Sequence, residues 1–108
     1  MSVWLYLAQR LSAIVMAPLV IGHIILMIVA VQNGLTAGEI LGRTRGSWFW
    51  AAYYGLFVAA VSIHAAIGLR TIASETFRWR GLSLDLAMGA VGALLLVLGG
   101  RAVFAVIA

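Results

Sequence analysis

The 108 residues contain no cysteine and no lysine, a single proline and only three acids. Without cysteine, this chain alone cannot supply a disulfide, a thiolate zinc site, iron–sulfur ligands or a cysteine nucleophile. Without lysine, all seven cations are arginines: Arg10, Arg43, Arg45, Arg70, Arg78, Arg80 and Arg101. They stand against Glu39, Glu75 and Asp85, giving a formal charge of +4. That charge gathers near the ends of apolar runs, where a long side chain can reach lipid head groups. No basic run is interleaved with aromatics, so nothing points to nucleic acid, and the high pI reflects a scarcity of acids.

What fills the chain instead is apolar. Hydrophobic residues make up 65% and charged residues 9%, with a mean hydropathy of +1.14. A water-soluble domain of this size has too little interior to hide such a surface, so the bilayer is the natural solvent. Three apolar runs, 11–31, 48–72 and 84–107, each have the ~20 residues that cross a ~30 Å hydrocarbon layer as a helix. Lipid cannot satisfy backbone polar groups, so an open chain must cross as helices. The expected fold is therefore all-α, with three transmembrane helices in one domain over 1–108. The first run is too long for the core of a signal peptide and two more follow it, so it reads as retained.

The flanks agree. Trp4, Tyr6, Trp48, Trp50 and Trp79 fall at span ends, as interfacial aromatic belts do. Pro18 lies inside the first span and should bend it locally. "QNGLTAGE" supplies turn residues after the first span, and the loop over 32–47 is too short to fold alone. The third span, "MGAVGALLLVLGG", offers Gly89, Gly92 and Ala93 for close helix packing. Arg10, Arg70, Arg78 and Arg80 share one membrane side, with Arg43, Arg45 and Arg101 on the other. Four against three places the N-terminus in the cytoplasm.

Two histidines interrupt the apolar runs. Ala60, His64 and Gly68 recur at four-residue spacing and share one helix face, which Thr71 and Glu75 extend to the membrane surface. Small neighbours on both sides of the ring leave room for a flat macrocycle. A histidine that only hydrogen-bonds between helices would not need that room, yet packing remains the competing reading. His23 has Leu19 and Met27 beside it, and Ser12 lies eleven residues earlier on the same face. For His23, packing and ligation stand level.

Depth separates the two rings. His23 lies thirteen residues, about 20 Å of helix, from Arg10, whereas His64 lies six residues, about 9 Å, from Arg70. The first two spans run antiparallel, so both distances start from one membrane surface and the rings differ in depth by about 10 Å. One iron cannot take both; two ligating histidines would mean two haems, each completed by another chain.

"SIHAAIGLRTIASE" resembles the His-x-x-x-Gly-x-Arg segment of the cytochrome b membrane-anchor subunits of succinate dehydrogenase and fumarate reductase. "QRLSAIVMAPLVIGHI" resembles the start of the first helix in that family, and three helices fit its length. The resemblance implies that His64 is a haem b axial ligand within the Gly68 segment. Arg10 and Arg70 then lie near the propionates, and Ser12, Arg10 and Glu75 contribute to a quinone site. It also implies that His23 is the axial ligand of a second haem, as in two-haem members. Ala13 and Thr76 depart from residues common in the family at the quinone site. The implied protein is half of a haem-binding helical bundle, completed by a second membrane-anchor subunit, in the bacterial inner membrane. It would carry no catalytic head and would dock an iron–sulfur subunit and a flavoprotein subunit of a succinate:quinone oxidoreductase. Two other functions stay open: a small membrane cytochrome b serving another dehydrogenase, and a haem-free scaffold whose histidines only join helices.

Overall fold

The computed structural model describes residues 2–108, and among these every regular element is helical. Four helices follow in order: α1 (Val3–Asn33), α2 (Ala37–Thr44), α3 (Trp48–Phe77) and α4 (Leu82–Ile107). The three long ones are apolar enough and long enough to cross a membrane. The chain is thus an all-α, multi-pass membrane protein.

Each long helix runs past the apolar stretch that marks it. Ser2 caps α1 by accepting from the Leu5 amide at 3.2 Å, so helix begins well before Leu11. With 31 residues, α1 is about 46 Å long at 1.5 Å per residue, more than the ~30 Å hydrocarbon layer requires. The surplus turns carry Trp4, Tyr6 and Arg10, and the guanidinium of Arg10 lies 5.8 Å from the Tyr6 ring centroid. α1 is continuous across Pro18, whose ring removes one backbone donor.

α3 occupies the middle. It packs along both α1 and α4, and it is the least apolar of the three. Four apolar side chains are buried among the described residues, Ala60, Ile67, Ala73 and Leu84, and three of them belong to α3. Small residues set both seams. On the α4 side, a methyl added to Gly92 would lie 3.2 Å from Ala66 Cβ, and one on Gly99 would lie 2.5 Å from Val58 Cγ1. Gly89 has nothing within 4 Å of that position and Ala93 is exposed. Of the small residues singled out in the third span, Gly92 alone serves the α3 seam.

The segment read as a loop contains α2. Thr36 accepts from the Glu39 amide at 3.2 Å, the first half of a Thr-x-x-Glu capping pattern. The far end of α2 is tied to the far end of α4. Thr44 Oγ1 lies 2.7 Å from the Val106 carbonyl, and the Gly46 amide donates to the Ile107 carbonyl at 2.7 Å. At the opposite end, Arg70 Nε donates to Asp85 Oδ1 at 2.9 Å, joining α3 to the first turn of α4. The ends of the molecule are thereby fixed: Ser2, Arg70 and Asp85 at one, α2 and Ile107 at the other.

Candidate functional site

α1 and α3 run antiparallel, so the beginning of α1 lies beside the second half of α3. There Ser12, a buried residue with 7% of its surface exposed, reaches His64. Its Oγ lies 3.2 Å from His64 Nδ1 and donates to its own helix, 2.9 Å from the Gln9 carbonyl. A serine within a helix commonly turns back onto a carbonyl one turn earlier. Here the same oxygen also meets the facing ring.

The other ring nitrogen, His64 Nε2, has no hydrogen-bond partner among the described residues. It is also absent from their enclosed, unpaired polar atoms. The ring itself is half-buried, so Nε2 opens at the chain's surface within the apolar belt. One nitrogen held from behind and one presented outward is the arrangement a ligating imidazole needs.

The small-residue face around the ring is not an empty slot. Ala60 is buried, and a methyl on Gly68 would lie 3.4 Å from Gln9 Nε2. That is ordinary contact distance, so the Gln9 side chain lies against α3 at the level of Gly68. Gln9 Oε1 is enclosed and has no partner among the described residues.

His23 has different surroundings. Its ring meets Tyr54 and Phe57 edge to face, with centroids 6.0 and 5.5 Å apart. Its Nδ1 is enclosed without a partner among the described residues. It lines an apolar cleft of ≈ 380 Å³ bounded by Met27, Ile40, Arg43, Trp50 and Tyr54. Ser12 and His23, eleven residues apart on α1, are separated by about 16 Å of helix, and Phe57 and His64, seven apart on α3, by about 10 Å. The structure keeps the two imidazoles at separate levels of the bundle. Among the described residues no three His, Cys, Asp or Glu side chains come together as a metal-holding group.

The remaining sequence-derived residues gather at the Ser2 end of the molecule. Arg10 and Glu75 are exposed. Arg70, half-buried, spends its Nε on Asp85. Thr71 Oγ1 turns back to the Ile67 carbonyl at 3.1 Å. Ser12, by contrast, is covered and engaged, without an open approach for a head group. Sequence reasoning missed Gln9, whose amide rests over Gly68; its position three residues before Ser12 on the same helix was the available signal.

A family model described as the succinate dehydrogenase/fumarate reductase transmembrane subunit matches residues 1–107. No curated protein and no solved structure matches the chain.

Proposed function

This chain belongs to the succinate dehydrogenase/fumarate reductase transmembrane-subunit family, and from that premise we propose that it is a haem b-binding membrane anchor, with His64 as axial ligand. The observation that carries the reading is His64 itself. Its Nδ1 is held by Ser12 on α1, and its Nε2 is unbonded at the surface, where a neighbouring helix bundle would sit. The chemistry of the donor set fits: a neutral imidazole such as that of His64 would hold haem iron from this chain, and a partner anchor subunit would complete the site. Haem b, when bound, supplies a one-electron store between the partner's clusters and quinone.

The rest of the reading follows from placement. Arg10 is exposed and Arg70 half-buried near the membrane surface, about 9 Å of helix from His64 in the case of Arg70, close enough to balance carboxylates at the edge of a macrocycle. Glu75, exposed at the same end, is the proton-exchanging group available to a quinone that gains two protons with two electrons. The iron–sulfur and flavoprotein subunits dock on this end, and the N-terminus faces the cytoplasm of a bacterial inner membrane. His23 is the second candidate ligand. Its separate level and its apolar cleft support a second haem, whereas its Nδ1 lacks the partner that His64 has.

Purification of the complex containing this chain, with haem b counted per copy and reduced-minus-oxidised spectra recorded, tests the reading. His64→Ala should abolish one haem signal. His23→Ala should remove a different one in a two-haem complex and none in a one-haem complex. Succinate- or fumarate-linked quinone turnover separates this assignment from a cytochrome b of another dehydrogenase. A colourless complex would leave a scaffold subunit.

A further inference from the structure

Ser12 has one proton and two close partners. Its Oγ lies 2.9 Å from the Gln9 carbonyl and 3.2 Å from His64 Nδ1. A carbonyl can only accept, so if both contacts are hydrogen bonds the hydroxyl proton belongs to Gln9 and the ring must donate. From this proton count we infer that Ser12 is a positioning residue that locks His64 in its Nδ1–H tautomer and leaves the Nε2 lone pair facing outward.

The opposite tautomer gives up one of the two Ser12 hydrogen bonds. With the proton on Nε2, Nδ1 becomes a second acceptor facing the same hydroxyl, and one of the two contacts loses its proton. Ser12 is buried at 7% exposure, so water has little access to repair the loss. The Gln9 carbonyl keeps the amide of its own helix in that case, and what is given up is the second hydrogen bond of the hydroxyl.

The lock gives Ser12 a different role from a quinone contact. Its hydroxyl is spent between two helices and has no free proton for a head group. It holds the ring from behind, and the α1 backbone holds the hydroxyl, so the direction of the Nε2 lone pair is tied to the register of α1 against α3. The consequence for haem rests on the proposed function above; the tautomer does not.

The test reads the tautomer directly and without haem. The full-length chain, labelled with ¹⁵N-histidine, is placed in phospholipid bilayers at mildly alkaline pH, where an imidazole is neutral. Solid-state NMR then distinguishes protonated from bare ring nitrogens, with His23→Gln assigning the two rings. We expect His64 to show Nδ1–H and bare Nε2 in the wild type and in Ser12→Thr, which keeps the hydroxyl. In Ser12→Ala, the Nδ1–H form should fall to a minority. A bare Nδ1 in the wild type, or no change in Ser12→Ala, overturns the inference. Haem content of the assembled wild-type complex is scored separately. Its absence alongside the expected tautomer would sink the haem reading and leave the lock standing.

Discussion

Tyr53 and Gly22 interlock across the α1–α3 seam. The Tyr53 hydroxyl donates to the Leu19 carbonyl at 2.6 Å, and a methyl group on Gly22 would lie 2.7 Å from that same hydroxyl. Leu19 lies one turn before His23 on α1, so the contact anchors the level at which the His23 ring meets Tyr54 and Phe57. Gly22→Ala should overpack the seam and cost about 1–3 kcal/mol. Tyr53→Phe gives up one interhelical hydrogen bond, worth about 0.6 kcal/mol in a membrane. Removing the hydroxyl also clears the space the methyl needs, so the double variant should cost less than the sum. Unfolding of the purified chain in mixed micelles measures all three; strict additivity would contradict the interlock.

The α3–α4 seam makes a parallel prediction. Gly99→Ala would drive its methyl to within 2.5 Å of Val58 Cγ1, a collision with a stiff β-branched side chain. It should destabilise the pair by about 1–3 kcal/mol, and Val58→Ala should recover most of that loss. Gly89→Ala, with nothing within 4 Å, should leave the isolated chain unaffected. The contrast between the two glycines is the check, read from thermal aggregation of the variants.

Thr44 is the pin that holds α2 to α4. Its hydroxyl stands 2.7 Å from the Val106 carbonyl and 3.2 Å from that of Ile40. Thr44→Val keeps the shape and removes the donor. Amide exchange across Ala37–Thr44 should then accelerate several-fold, while the centre of α3 stays protected. Unchanged exchange in α2 would mean that the Gly46–Ile107 backbone bond holds it without help.

The Arg70–Asp85 pair is expected to contribute little. Asp85 has a side chain 55% exposed, and Arg70 one 27% exposed; pairs so open to solvent are worth about 0–1 kcal/mol and are screened by salt. Asp85→Asn should therefore shift stability by less than about 1 kcal/mol, and haem content, where measured, should hold. A large loss in this variant would show that the carboxylate does more than meet Arg70.

Much of this architecture could be read from residues alone. Three apolar runs dictated three membrane helices, because hydrocarbon leaves the backbone no other way to pair its polar groups. The separate levels of His23 and His64 followed from residue counts and helix rise. α2 was hidden by its own surroundings. Asn33 and Gly34 announce a turn, and the Thr36-x-x-Glu39 start lies directly behind them, too short to show a helical period. α1 starts before its apolar stretch and α3 ends after its own because caps, Ser2 at the start of α1 and Arg78 at the end of α3, rather than hydropathy, decide where a helix begins and stops. The Ala60–His64–Gly68 face was read as open space, yet Gln9 and Ser12 lie against it. Which neighbour fills a small-residue face depends on helix rotation and register, and a single strand of sequence does not encode the partner's side chains. For the same reason Gly99 at the Val58 seam could not be told from Gly89 on an open face.

With α3 packed along both α1 and α4 and four buried apolar side chains among the described residues, the chain is an unsealed bundle. Most of its apolar surface is completed by molecules it does not contain. Its resistance to unfolding then becomes a two-dimensional mass-action quantity, set by how crowded its own membrane is with whatever covers those faces. The same polypeptide should accordingly melt lower when overproduced alone than when made in step with its companions.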